Sequence, residues 1–97
     1  MKHMNIVKFV VKPEFVDEYL SSMQDMNLFN GQISNRLVQT GDRHFCGTGL
    51  WESKAAMDAE MANMVAYLNT IRHMLEEISP ELGVTDATSG SVIHEIS

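Results

Sequence analysis

The sequence has little of what extracellular, membrane-embedded or nucleic-acid-binding proteins need. Its only cysteine is Cys46, so no intrachain disulfide can form and a reducing compartment is expected. The chain has 7 Lys and Arg residues, which are scattered, and 13 Asp and Glu residues, so its formal net charge is −6. This negative charge disfavours nucleic acid and anionic membranes as partners. No apolar run has the length of a bilayer span or a signal core. We therefore expect a cytoplasmic protein.

What is present is typical of one small globular domain. The chain has 97 residues, of which 44% are hydrophobic and 21% charged, and these values are ordinary for a folded domain. We treat residues 1–97 as a single domain. A chain of this length leaves much of its surface exposed when it is alone, so a partner subunit would add to its stability.

Periodicity and turn residues predict the order strand, helix, strand, strand, helix, strand. The predicted strands span residues 5–11, 33–40, 43–51 and 91–96. Helix one is predicted to begin at Pro13, with an apolar stripe that extends to Met26. Helix two is predicted to follow the cap residue Ser53, with a continuous apolar stripe to Ile78, and to end before Pro80.

This order predicts an α+β, ferredoxin-like βαββαβ fold, in which two helices cover one face of a four-stranded antiparallel sheet. Gly41-Asp42 is the turn of the central hairpin. Both faces of strand one are apolar, with Ile6 and Val10 on one side and Val7 and Phe9 on the other. Two helices cover only one face, so we expect a homodimer whose sheets pack as a dimeric α/β barrel. The alternative is a half-exposed sheet with scattered apolar residues.

Three segments carry a family resemblance. They are Gly31-Gln32-Ile33-Ser34, the hairpin through Gly41-Asp42-Arg43, and Leu50-Trp51-Glu52-Ser53-Lys54-Ala55-Ala56-Met57. The chain resembles the dimeric α/β-barrel superfamily, specifically the antibiotic biosynthesis monooxygenase (ABM)-like family. The resemblance implies a pocket between sheet and helices in each subunit. It also implies oxidation of a small aromatic or polyketide-like metabolite by O₂ with no cofactor, although other members cleave heme and related small barrels isomerise or bind metabolites.

The catalytic pattern of the quinone-forming members is matched in part. Their strand-three tryptophan falls at Trp51, whereas their asparagine falls at Gly47 and their tyrosine at Met57. Their helix-two arginine falls at Ile71, next to Arg72. The resemblance therefore supports the fold more strongly than it supports this particular reaction.

Heme degradation and metal binding are both disfavoured by the sequence. The heme-degrading members' tryptophan would fall at Glu60 and their histidine ligand at Thr70. Asn5 is predicted to lie one residue away from the position of their strand-one asparagine, so its side chain is expected on the opposite face of the strand. Antiparallel pairing places His3 and His44 at opposite ends of the sheet, and no tight zinc spacing occurs. No metal site is expected.

A ligand pocket is predicted on the glycine-containing face of strand three and the methionine stripe of helix two. Its predicted members are Phe45, Gly47, Gly49, Trp51, Met57, Met61 and Met64. Glycine within a strand indicates close approach of a ligand or backbone, and the alternative is a bulge or close helix packing. Methionine adapts to irregular apolar ligands, and the alternative is ordinary core filling.

The candidate catalytic residues are Trp51, Tyr67 and Arg72. The alternatives for these side chains are a core anchor, a tyrosine at the rim, and an arginine whose head stays in water. Two interpretations of function stay open. The chain is either a cofactor-independent monooxygenase or related small-metabolite enzyme, or a non-catalytic small-molecule-binding or interaction module with the same fold.

Overall fold

A computed structural model describes residues 1–96 and contains one four-stranded antiparallel sheet. The strands are β1 (His3–Val10), β2 (Gln32–Gln39), β3 (His44–Trp51) and β4 (Asp86–Ser91), in the spatial order β2-β3-β1-β4. The helices are α1 (Val16–Met23), α2 (Lys54–Ala59) and α3 (Met61–Ile71). They pack on one face of the sheet, so the α+β, ferredoxin-like fold predicted from the sequence is confirmed.

The central hairpin and the helix starts follow the local sequence signals. Strands β2 and β3 flank the turn at Gly41-Asp42, where the Thr40 N–H donates to the His44 carbonyl at 2.9 Å. Pro13 begins a 3₁₀ turn (Pro13–Phe15) that leads into α1. The Ser53 hydroxyl accepts a hydrogen bond from the Ala56 N–H at 3.1 Å and caps α2.

Helix one is shorter than predicted and helix two is not continuous. α1 ends at Met23 rather than near Met26. The second helical stripe is broken at Glu60, whose φ of −100° and ψ of 5° separate α2 from α3, and a 3₁₀ turn (Arg72–Met74) ends it well before Pro80.

The chain after α3 is bound by the end of β1. The Lys12 N–H donates to the Met74 carbonyl at 2.8 Å, and the Glu76 N–H donates to the Val10 carbonyl at 2.9 Å. Leu75 is therefore extended and buried in the core opposite Val11, rather than part of a helix. Backbone pairing outweighs the helical periodicity of this segment.

The prediction for the last strand was wrong. The strand is the polar segment Asp86–Ser91, and residues 92–96 follow it. β4 pairs with β1 from Lys8, opposite Asp86, to His3, opposite Ser91. One further backbone hydrogen bond follows, from the Val92 N–H to the Lys2 carbonyl at 2.9 Å.

The core lies between the helices and the sheet face that carries Phe9, Val11 and Phe45. Tyr19 of α1 packs against this face, with ring centroids 5.5 Å from Phe9 and 5.4 Å from Phe45. Within residues 1–96, no helix covers the opposite face, which carries both apolar and polar side chains. Its apolar residues are Met4, Ile6, Val10, Val38, Cys46 and Leu50.

No helix within residues 1–96 has the length and apolarity needed to cross a bilayer.

Candidate functional site

A cavity of about 360 Å³ lies between the helix-covered face of the sheet and the three helices. Five methionines from α1, α2, α3 and the loop after α1 form much of its wall; they are Met23, Met26, Met57, Met61 and Met64. Aromatic side chains from β1, α1, α3 and the loop before β2 also line it; they are Phe9, Tyr19, Tyr67 and Phe29. The volume is at the small end of the range for ligand pockets, and the wall is mostly apolar.

The floor of the cavity consists of two rows of residues that run across the sheet. In the first row, Asn35 of β2, Gly49 of β3, Asn5 of β1 and Ser89 of β4 lie side by side. This row is polar and has a glycine at its second position. All four residues line the cavity.

The second row lies two residues further along each strand and is apolar. It contains Leu37, Gly47, Val7 and Ala87. A Cβ atom built at Gly47 would meet nothing closer than the Val7 carbonyl oxygen, 4.0 Å away. Gly47 therefore borders open space, and the register through it is regular, without a bulge.

Gly49 borders a cluster of polar side-chain atoms instead of open space. A Cβ atom there would lie 2.7 Å from Gln32 Nε2, 3.2 Å from Trp51 Nε1, and closer still to Asn5 Oδ1. The Trp51 indole N–H donates to Asn5 Oδ1 at 2.7 Å. The missing side chain of Gly49 is what allows these three groups to meet.

Gln32 reaches the cavity because β2 is irregular at its start. Gln32 pairs with Trp51 and Ser34 with Leu50, so Ile33 is an extra residue in β2. With strict alternation Gln32 and Asn35 would point to opposite faces, and the extra residue places both on the cavity side. Gly31, with a φ of 81°, precedes the irregularity and approaches the side chain of Ala56 in α2.

The sequence-predicted pocket residues divide into two groups. Gly47, Gly49, Met57, Met61 and Met64 line the cavity. Phe45 and Trp51 do not line the cavity. Phe45 lies in the core beside Phe9. Trp51 is fully buried behind Asn5 and Phe29.

The candidate catalytic residues also lie in different places. Tyr67 lines the cavity, and its hydroxyl donates to Met23 Sδ at 3.0 Å. Arg72 is exposed at the end of α3 and donates to Asn69 Oδ1 at 3.2 Å, away from the cavity wall. Trp51 does not line the cavity, and it contacts the wall through its bond to Asn5 and by stacking on Phe29.

The prediction for Asn5 was wrong, because Asn5 lies on the helix-covered face and lines the cavity. Gln32 was not predicted at all, since its position depends on a bulge that has no clear sequence signal. The pairing of Asn5 with Gly49 joins strands that are distant in the chain, so the turn of the central hairpin does not specify it.

The chemical groups of the wall are amides, hydroxyls, thioethers and hydrocarbon. Within residues 1–96, no Lys, Arg, Asp, Glu, His or Cys side chain lines the cavity. Burial raises the pKa of Tyr67. The pKa of Tyr19 is raised mainly by burial and, to a smaller extent, by electrostatic repulsion from Tyr67. Both phenols therefore keep their protons at neutral pH and act as hydrogen-bond donors.

Within residues 1–96, the wall offers a heme or metal ion no imidazole, thiolate or carboxylate ligand, and its soft donors are methionine thioethers. Thr70, at the position of the family's heme ligand, is exposed and donates to the Tyr67 carbonyl at 2.6 Å. No group of three or more His, Cys, Asp or Glu residues within the described part of the chain is arranged to hold a metal ion.

Solved structures with the same fold include proteins related to antibiotic biosynthesis. A monooxygenase from the gene ActVA-Orf6 of Streptomyces coelicolor, solved with the ligand Nanaomycin D, is 13% identical with a TM-score of 0.70; the match covers 98% of this chain and 90% of that one. SnoaB from Streptomyces nogalater, a cofactor-independent oxygenase solved as the mutant N63A, is 11% identical with a TM-score of 0.70, covering 98% and 96%.

A third structure has no known function. It is the NE2512 protein of Nitrosomonas europaea, which is 17% identical with a TM-score of 0.74, over 99% of this chain and 93% of that one. No protein-family model matches the sequence. No curated protein matches it either. At these identities the likeness is one of fold, and the fold that the resemblance to the ABM-like family predicted is the one that these structures share.

Proposed function

We propose that this chain is a cofactor-independent monooxygenase that acts on a small aromatic or polyketide-like metabolite. The observation that carries the proposal is the apolar cavity, whose floor has an amide-rich row and whose wall is aromatic and methionine-rich. The shared fold with a cofactor-independent oxygenase supports it. Fold alone does not determine function, so the argument rests on the cavity.

The proposed reaction balances with O₂ as the only co-reactant. A ring methylene is converted to a carbonyl, R₂CH₂ + O₂ → R₂C=O + H₂O, in which the carbon loses four electrons and two hydrogens. One oxygen atom enters the product and the other leaves as water. O₂ is apolar and small, and it can share an apolar cavity with a flat ring. Tyr67 can donate a hydrogen bond to a ligand oxygen because its proton is retained.

Oxygen uptake with hydroquinones and anthrone-like compounds tests this function. The decisive variant is Gly47→Val, because the new side chain enters open space above the floor. The control is Ser91→Val at the end of β4, an exposed residue on the same sheet face as Gly47 but outside the cavity. We expect uptake by the wild type and by Ser91→Val, and its loss in a folded Gly47→Val protein. Absence of uptake across the panel would contradict the proposal.

A non-catalytic binding module is the second candidate. It is favoured because the cavity wall, as far as residues 1–96 describe it, offers no charged or imidazole side chain as a general base. Gly47 and Met57 also stand where the quinone-forming members have asparagine and tyrosine. Native mass spectrometry distinguishes the candidates, since a co-purifying metabolite that persists unchanged in air indicates binding without oxidation.

We also propose that the chain forms a cytoplasmic homodimer through the uncovered sheet face. Met4 of β1 pairs directly with Leu50 of β3 there, Ile6 lies two residues further along β1 on the same face, and Val38 is 48% exposed. Burying such a face against a second copy removes apolar surface from water. Light scattering should report a dimer at micromolar concentration, and Ile6→Lys should shift it to monomer. A stable wild-type monomer would contradict this proposal.

A further inference from the structure

The amide groups of Asn5 and Gln32 have defined orientations. Asn5 Oδ1 accepts from the Trp51 indole N–H at 2.7 Å, and Gln32 Oε1 accepts from the Phe29 backbone N–H at 3.1 Å. An indole N–H and a backbone N–H can only donate, so the amide oxygen must be the atom that faces each of them. The two NH₂ groups consequently point away from these partners.

Both side chains line the cavity floor beside Gly49. The position that a Cβ of Gly49 would take is 2.7 Å from Gln32 Nε2 and closer still to Asn5 Oδ1, the oxygen that accepts from Trp51. Asn5 Nδ2 belongs to the same amide as that oxygen, so each of the two residues brings one NH₂ donor to this part of the floor. Trp51 and Phe29 are therefore positioning residues, which act on the ligand through Asn5 and Gln32.

The absence of charge in the wall restricts the ligand further. With no Lys, Arg, His, Asp or Glu side chain lining the cavity within residues 1–96, an ionised ligand would lose its hydration without gaining a counter-charge. Away from the amides, the floor is formed by Val7, Leu37 and Ala87. This surface suits a flat apolar ring.

We propose that the ligand is an uncharged ring compound with a carbonyl oxygen, and that Asn5 Nδ2 and Gln32 Nε2 donate hydrogen bonds to this oxygen. The inference rests on the proposed function insofar as it takes the same cavity to be the ligand site. It assigns the recognition of the ligand's oxygen to side chains of β1 and β2. In β3, Gly47 has no side chain that could donate a hydrogen bond.

Calorimetric titration with three naphthalene derivatives tests this specificity. They are 1-acetonaphthone, 1-isopropenylnaphthalene, in which CH₂ replaces the carbonyl oxygen, and the anion 1-naphthoate. One well-formed hydrogen bond contributes about 0.5–1.5 kcal/mol, so we expect the ketone to bind up to about tenfold more tightly than the alkene. The anion should bind more weakly than either neutral compound.

Isosteric variants identify the donors. Asn5→Asp and Gln32→Glu keep the oxygen that accepts from Trp51 or Phe29 and remove the NH₂ donor. Asn35→Asp places the same new charge on the same floor row and serves as the control. The preference for ketone over alkene should disappear in Asn5→Asp and Gln32→Glu and persist in Asn35→Asp. Trp51 fluorescence, from the only tryptophan of the chain, reports whether the indole environment is preserved.

The outcomes separate this inference from the proposed function. Equal binding of ketone and alkene, tighter binding of the anion, or a ketone preference that survives both amide variants overturns the inference while the cavity remains a binding site. If neither neutral compound binds, the cavity itself fails as a site for small aromatic ligands, and the proposed function fails with the inference.

Discussion

The two glycines of β3 that line the cavity should respond in opposite ways to the same substitution. Gly47 and Gly49 are two residues apart on one face of one strand, so Gly→Ala is chemically matched between them. At Gly47 the new methyl group meets only the Val7 carbonyl oxygen at 4.0 Å. Because alanine restricts the unfolded chain more than glycine does, Gly47→Ala should be neutral or stabilising by up to about 0.5–1 kcal/mol.

At Gly49 the methyl group would occupy the space where Asn5 Oδ1, Gln32 Nε2 and Trp51 Nε1 meet. Overpacking costs about 1–3 kcal/mol. Displacing Asn5 also leaves the fully buried indole N–H without its acceptor, which costs about 1–3 kcal/mol. Allowing for the alanine gain, we expect Gly49→Ala to lower the free energy of unfolding by about 1–5 kcal/mol.

Urea denaturation followed by Trp51 fluorescence measures both variants under one set of conditions. In a domain of this size, each kcal/mol corresponds to roughly 4–8 °C in Tm, so the predicted difference is also visible in thermal melts. If the two variants have equal stability, or if Gly47→Ala is the less stable, the description of open space at one glycine and a polar cluster at the other is incorrect.

Three further outcomes follow from individual side chains. The pKa of Tyr19 and that of Tyr67 are both raised in the folded state, so the folded protein retains phenol protons that the unfolded chain loses. The free energy of unfolding should therefore fall as the pH rises above the ordinary tyrosine pKa of 10.0, and urea titrations at alkaline pH should show a smaller fall for Tyr67→Phe. Buried His3 has an Nε2 atom without a hydrogen-bond partner within residues 1–96, so His3→Phe should match or exceed the wild type by up to about 1 kcal/mol, and a large drop in Tm would show that the imidazole has a partner. Removing the α2 cap with Ser53→Ala should cost about 1 kcal/mol, while Ser53→Asp should retain most of the stability, and equal losses in the two would argue against capping.

Arg72 illustrates how a sequence pattern can suggest a residue that the structure places elsewhere. Its position next to Ile71, at the border of the apolar stripe of the predicted helix two, makes it a candidate catalytic residue. In the structure, α3 ends at Ile71 and Arg72 begins a 3₁₀ turn, with its side chain bonded to Asn69. Because the helix ends at Ile71, side chains from Arg72 onward do not point in the directions that a continued helix would give them. The wall within residues 1–96 has no cation, which agrees with a neutral ligand.

The sequence by itself determined the features that depend on local chemistry. Alternating apolar residues specify β1, the Gly41-Asp42 turn joins β2 to β3, and Ser53 caps α2, because each signal acts over a few neighbouring residues. The apolar character of both sheet faces was also readable from alternation alone. These features suffice for the ferredoxin-like order.

The tertiary structure decided what depends on pairing between distant segments. β4 is a polar segment that becomes a strand because its backbone pairs with β1 from His3 to Lys8, and Leu75 leaves the helical pattern because the end of β1 binds the backbone around it. Gln32 enters the cavity through a bulge, and Asn5 is oriented by Trp51 from the adjacent strand. Strand register and backbone hydrogen bonds over long separations are set by the assembled sheet, so local periodicity does not encode them.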